Sequence, residues 1–237
     1  MCCCGPPGLP ASRNHAAAGE GVTYAGWMPF DDQSTYQVRA EWGVAGLRRL
    51  APADVIIVVD ALRFTTTVTD RVATGGVVPL DDEAFAVSLN GAVVAAAAAN
   101  TTATVLAGCL RNAAAVADAV VAIQAQRGTR TTIAVIACGE RVARESEVVR
   151  FAVEDQLAAG AIISALSDRG IDHTSPEAAV MGEAARALSH ACVHLFLASG
   201  SGRELAERGR RDEVVNAAAH NAVSAVATVR NGQFEAL

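Results

Sequence analysis

The sequence predicts an α/β protein on three observations. Short β-branched runs alternate with longer Ala/Leu/Val stretches of helical character. Four of the apolar runs end in a turn carrying polar residues, and each of those turns opens a helix. The chain has 237 residues and 51% hydrophobic content, enough for one substantial core, since a domain of this length buries roughly 70–75% of the surface its unfolded chain exposes.

Taken in order, residues 1–23 are rich in Gly, Pro and Ala and read as a disordered tail. Residues 24–237 read as one domain, with folded sequence starting near Tyr36. Residues 41–50 read as a short helix ahead of Pro52. The unbroken apolar run at 55–59 fits a strand buried on both faces, and it ends in Asp60-Ala61-Leu62-Arg63. A short strand at 76–80 precedes the acidic turn Asp81-Asp82-Glu83, and 92–99 is helical. Residues 104–107 form a strand that turns through Gly108 into Leu110-Arg111-Asn112 and a helix to about Gln126. The strand at 132–137 ends in Cys138-Gly139-Glu140-Arg141. Helices follow at 151–166 and 176–187, the second with Pro176 at a favoured first-turn position. The last apolar run, 193–197, reads as a strand ending in Ser199-Gly200-Ser201-Gly202-Arg203, with a helix from Glu204.

Composition removes several functions. All 19 basic residues are arginine, so the chain has no Walker A lysine, no pyridoxal Schiff base and no lysine base. Anions must be met by guanidinium groups, backbone N–H groups and helix N-termini. A net charge of −6 argues against a nucleic-acid surface. No apolar run approaches the ~20 residues of a membrane span, so no membrane partner is expected. The six cysteines show no CxxC pair and no metal-ligand spacing, and no secretory signal precedes them, which points to the cytoplasm. The five histidines show no HExxH spacing, and His190 and His194 flank the start of an expected strand.

The carboxyl ends of parallel strands share one sheet edge, where ligands bind. If the four runs are parallel strands, Asp60, Arg63, Arg111, Asn112, Glu140, Arg141, Ser199 and Arg203 converge there. A carboxylate at Asp60 can hold a divalent metal or position a water, although capping the next helix is the plain alternative. Thr65, Thr66 and Thr67 can cap that helix and offer hydroxyls to an anion. Glu154 continues the apolar stripe Leu157, Ala158, Ala161, Ile162 and Ala165 one turn upstream, with Asp155 beside it. Two carboxylates there are costly to bury unless paired or metal-bound, whereas an exposed pair would simply favour the helix N-terminus. The Gly/Ser turn around Ser199 can cradle an anion, but flexibility alone also explains such a loop.

Several ordered segments carry a resemblance. They include Val58-Val59-Asp60-Ala61-Leu62-Arg63-Phe64-Thr65-Thr66-Thr67, Asn90-Gly91, Ala107-Gly108-Cys109-Leu110-Arg111-Asn112 and Ala137-Cys138-Gly139-Glu140-Arg141. Glu154-Asp155 with Ala159-Gly160, Ser175-Pro176-Glu177-Ala178 and Ser201-Gly202-Arg203-Glu204-Leu205 follow in the same order. Together, from Gln37 to Phe234, the chain resembles the 2-phosphosulfolactate phosphatases, the ComB-like family. The resemblance implies a three-layer α/β/α fold with a mixed, largely parallel sheet. It implies magnesium-dependent hydrolysis of 2-phospho-3-sulfolactate to 3-sulfolactate and phosphate, a step toward coenzyme M.

On that reading Asp60 and Arg63 are catalytic, and Asp60, Glu140, Glu154 and Asp155 hold Mg²⁺. Thr66, Asn90, Gly91, Arg111, Asn112, Arg141 and Ser199 bind a small anionic phosphorylated substrate. The sequence leaves open direct water attack against an aspartyl-phosphate on Asp60, and a monomer against a homodimer. The chain departs from similar proteins at residues 81–89, which are shorter and lack a Gly-Asn-Ser-Pro-type loop, and at Gln156, where an acid is often found. Two other readings therefore stand beside the enzyme: a catalytically impaired relative that binds an anionic metabolite, and a partner-binding subunit packed through its Ala-rich helices.

Overall fold

The computed structural model describes residues 31–143, 146 and 148–237, so the tail to residue 23 and the cysteines at 2–4 lie outside the described residues. The chain opens with β1 (Val38–Trp42), α1 (Gly43–Arg49), β2 (Val55–Val59) and α2 (Phe64–Ala73). β3 (Val78–Pro79), α3 (Asp82–Val87), α4 (Gly91–Ala99) and β4 (Thr104–Gly108) follow. A 3-10 turn at Leu110–Asn112 leads into α5 (Ala113–Arg127), then β5 (Ile133–Ala137) and the small hairpin β6 (Glu140–Arg141) and β7 (Val149–Arg150). Four helices come next: α6 (Val153–Ser167), α7 (Pro176–Leu188), α8 (Cys192–Ala198) and α9 (Gly200–Glu207). The chain closes with α10 (Arg211–Ala217), β8 (Ala227–Arg230) and β9 (Gln233–Ala236).

Among the described residues seven strands form one sheet in the order β1-β5-β2-β4-β8-β9-β3. The first four are parallel, and β8, β9 and β3 are each antiparallel to their neighbour. β2 lies at the centre of the parallel half, and all five of its residues are buried. Side chains alternate across a strand. Val55, Ile57 and Val59 therefore join the core under α5 to α10, while Ile56 and Val58 join the core under α1, α2 and α4. These two cores on opposite faces make the three-layer α/β/α architecture that the sequence predicts.

Small residues set the helix spacing. At the α6–α7 crossing a Cβ on Gly160 would stand 2.0 Å from the Met181 carbonyl oxygen, so only glycine allows this approach. Such close approaches let an alanine-rich, aromatic-poor chain fill its core without large side chains.

Three expected elements need correction. Residues 193–197 are not a strand but most of α8. A short apolar run does not declare its period, and here only Cys192 and Phe196, one turn apart, are buried. Residues 41–50 are not all helix: Glu41 and Trp42 end β1, which pairs with β5 from Val38↔Ile133 to Trp42↔Ala137. β1 was hidden by its buried Arg39, whose guanidinium donates to the carbonyls of Ser34, Tyr36, Ala51 and Pro52. The acidic turn at residues 81–83 begins α3, with Asp81 accepting from the Ala84 N–H as N-cap. The β8–β9 hairpin turns at Asn231-Gly232, both at positive φ, a dipeptide suited to a two-residue hairpin loop.

Candidate active site

The parallel strands β2 and β5 end side by side, and the residues that follow them are locked by hydrogen bonds. The Asp60 N–H donates to Thr65 Oγ1 at 3.0 Å, and that hydroxyl donates back to the Asp60 carbonyl at 2.8 Å. The Thr66 hydroxyl donates to the Ala61 carbonyl at 2.9 Å. The threonine run thus locks the β2–α2 turn; Thr65 and Thr66 are buried, and Thr67 is the member that lines the cleft described below.

The Asp60 side chain is held from two sides. Oδ1 accepts from the Phe64 N–H at 3.2 Å, and Oδ2 accepts from the Gly91 N–H at 2.9 Å. Burial pushes its carboxyl up to about 6, against the pull of those two N–H groups, with Glu154 raising it further and Arg63 lowering it. Asp155 lies behind. Its Oδ1 accepts from the Ala61 N–H at 2.7 Å and its Oδ2 from the Gly139 N–H at 2.9 Å, so it ties the ends of β2 and β5 together. Burial and the charges of Asp60 and Glu154 hold its carboxyl well above the ordinary range. Glu154, 3% exposed, is raised chiefly by burial, while the hydroxyls of Ser199 and Ser201 favour its charged form.

Asp60 opens onto a cleft of about 520 Å³, with Glu140 the second described acid of its floor. Asp60, Arg63, Asn90, Glu140 and Arg141 line it. Gly91, Glu154, Asp155 and Ser199 do not line it; Gly91 bonds Asp60, the charges of Glu154 and Asp155 are felt with that of Asp60, and the Ser199 hydroxyl acts on Glu154. Glu140 is ion-paired with Arg150.

Three expected substrate contacts stand elsewhere. Thr66 is spent on the turn. Arg111 donates to Asp70 Oδ1 at 3.0 Å and to the Asn216 carbonyl at 2.8 Å, joining α2 to α10. Asn112 is fully buried and bonds Cys109, Ala107 and Ala225. Arg203 is exposed and outside the cleft lining. Conversely, Ser201, Glu204, Leu205, Arg208 and Arg210 line the cleft. The first four repeat at helical spacing along α9, a signal the sequence did carry.

The floor has features that suit a hard cation. Among the described residues no arginine forms a close ion pair with Asp60, Glu154 or Asp155; burial and the charges of these three acids raise their carboxyls, and backbone N–H groups, the Ser199 and Ser201 hydroxyls and the more distant Arg63 oppose that only in part. Asn90 Oδ1 is buried at the same place with no hydrogen-bond donor. Among the described residues no group of three or more Asp, Glu, His or Cys side chains is placed to hold a metal ion. Magnesium does not need one, since one or two carboxylates, water and substrate oxygens suffice.

A family model described as 2-phosphosulpholactate phosphatase matches residues 80–232, well over half of the chain. The chain belongs to the 2-phosphosulpholactate phosphatase family. Comparison with curated proteins gave no match. The stretch matched to the 2-phosphosulpholactate phosphatases includes Asn90, Gly91, Glu140, Arg141, Glu154, Asp155 and Ser199, while β2 with Asp60 and Arg63 precedes it. The family is one of phosphoric monoester hydrolases, and a cleft joining buried acids to arginines suits that class. Among the described residues no helix is long and apolar enough to cross a membrane.

Proposed function

We propose that this chain hydrolyses 2-phospho-3-sulfolactate, or a closely related small phosphorylated acid, to 3-sulfolactate and phosphate, with Mg²⁺ at the acidic floor. The observation that carries the reading is the set of buried acids Asp60, Glu154 and Asp155, none of them in a close ion pair with a described arginine, at a cleft that Arg63 and Arg141 line. The reaction would take place in the cytoplasm, in keeping with the free thiols of Cys109, Cys138 and Cys192.

Phosphate monoester hydrolysis is among the slowest uncatalysed reactions, so the protein must neutralise charge and orient water. Asp60 and Glu154 would hold the metal, with water and substrate oxygens completing its shell, and Glu140 lines the same cleft. Asp155, which does not line the cleft and ties the Ala61 and Gly139 N–H groups together, keeps the frame. Bound magnesium would supply the positive charge that the phosphoryl oxygens need in the transition state. Arg63 and Arg141 bind those oxygens from the cleft wall. Asp60, with a carboxyl near 6, is ionised at neutral pH and accepts a proton from the attacking water.

The same carboxylates give the reading a test independent of turnover. In the folded protein Asp60 binds its proton more tightly than in the unfolded chain, whose carboxyl titrates near 3.8. Its contribution is therefore full below about pH 4 and lost as pH rises through 6, a cost of about 3 kcal/mol. Asp155 acts in the same direction. Metal-free protein is expected to melt several degrees lower at pH 8 than at pH 5, and millimolar Mg²⁺ to recover much of that loss at pH 8 only. Thermal melts that respond to Mg²⁺ equally at both pH values, or not at all, would contradict a metal at this floor.

A further inference from the structure

The cleft continues beyond its acidic floor along a wall that the reaction above leaves unused. α9 presents Ser201, Glu204, Leu205 and its C-terminal neighbour Arg208 to the cleft, one face of the helix. Ser201 stands beside Glu154, so this face begins at the floor. At 1.5 Å per residue Arg208 lies about 10 Å farther along the axis. Arg210, in the link to α10, lines the same end.

The partners of these arginines are of a different kind from those of Arg111. Arg208 donates to Glu204 Oε1 at 2.5 Å, and Arg210 grips Glu213 with two bonds of 2.6 and 2.7 Å. Arg63 reaches the same Glu213 carboxylate more loosely, at 3.7 Å. The side chains of Glu204 and Glu213 are 54% and 46% exposed, so returning them to water costs little. Arg111 is 12% exposed and fixed between Asp70 and Asn216, and cannot be lent to a ligand in this way. A guanidinium presents its donors in a planar fork that matches two oxygens of a carboxylate or sulfonate.

We infer that Arg208 and Arg210 form a second anion subsite, which takes a carboxylate or sulfonate of the substrate while its phosphoryl group lies over Asp60. Glu204 and Glu213 occupy the two guanidiniums in the empty cleft and give way to that anion. The subsite selects phosphorylated acids over phosphomonoesters that carry no second acid. This inference rests on the phosphatase reading given above.

The test compares the full chain with Arg208→Gln, Arg210→Gln and the corresponding lysine variants. The substrates are 2-phosphosulfolactate and propyl phosphate, which lacks a second acid. Each glutamine variant should raise KM for phosphosulfolactate about tenfold or more, with kcat within about threefold. Its preference for phosphosulfolactate over propyl phosphate, as a ratio of kcat/KM, should fall by a similar factor. The lysine variants should recover part of the affinity. An equal loss on both substrates, or no loss, overturns the subsite. If the wild-type chain turns over neither ester, the phosphatase reading fails, and calorimetric binding of 3-sulfolactate then judges the subsite alone. About tenfold weaker binding by the glutamine variants upholds it, and unchanged or undetectable wild-type binding overturns it.

Discussion

Asp60→Ala is expected to lower phosphate release by about 10³-fold or more, because it removes both the proton acceptor and a metal-holding group. The protein should remain folded, since two opposing terms accompany the change. The N–H groups of Phe64 and Gly91 lose their acceptor, which costs stability. The repulsion that Asp60 exerts on Asp155 disappears, which restores some. A melting temperature within a few degrees of wild type, with turnover gone, is the expected pair of results. Asp60→Asn should be nearly as inactive, because its amide sets an N–H against one of two backbone donors. Initial-rate assays beside thermal melts decide the matter; a folded variant that keeps a tenth of wild-type activity removes Asp60 from the chemistry.

The second large effect comes from a residue with no side chain. A Cβ on Gly91 would lie 2.5 Å from Asp60 Oδ2 and 2.7 Å from Phe64 Cβ. Gly91 therefore has two tasks: its N–H orients the carboxylate, and its missing side chain lets α4 approach it. Gly91→Ala must push Asp60 or the start of α4 aside. The expected cost is about 1–3 kcal/mol of stability and about 10²-fold in rate, because reacting groups tolerate little misplacement. Melts and kcat measured on one preparation check this. Wild-type kcat in the alanine variant would show that the Asp60–Gly91 contact does not set the geometry of the reaction.

Legibility in the sequence followed the range of each interaction. β2 could be read directly because all five of its residues are β-branched, which favours a strand over a helix for so short an apolar run, and Asp60 follows it immediately. The acidic pair Glu154-Asp155 could be read because it interrupts an apolar helical stripe. α8 could not, because a seven-residue run with buried positions one turn apart resembles a strand until its partners are known. The arginines divide in the same way. Arg111 follows a strand as Arg63 does, but it is captured by Asp70 and by Asn216, residues distant in sequence from each other. Arg208 and Arg210 follow no strand and reach the cleft only because α9 runs along its wall. Local pattern found the sheet edge; which charged groups face the cleft there is decided by packing between distant segments.

The measurement that bears most directly on the account is phosphate release from 2-phosphosulfolactate by the purified chain, with Mg²⁺ and with EDTA. The account predicts turnover in Mg²⁺ that EDTA abolishes and added Mg²⁺ restores. No release in a folded, Mg²⁺-loaded protein would contradict it and leave a cleft that binds an anionic acid without hydrolysing it. Release that EDTA does not touch would contradict the metal at the acidic floor.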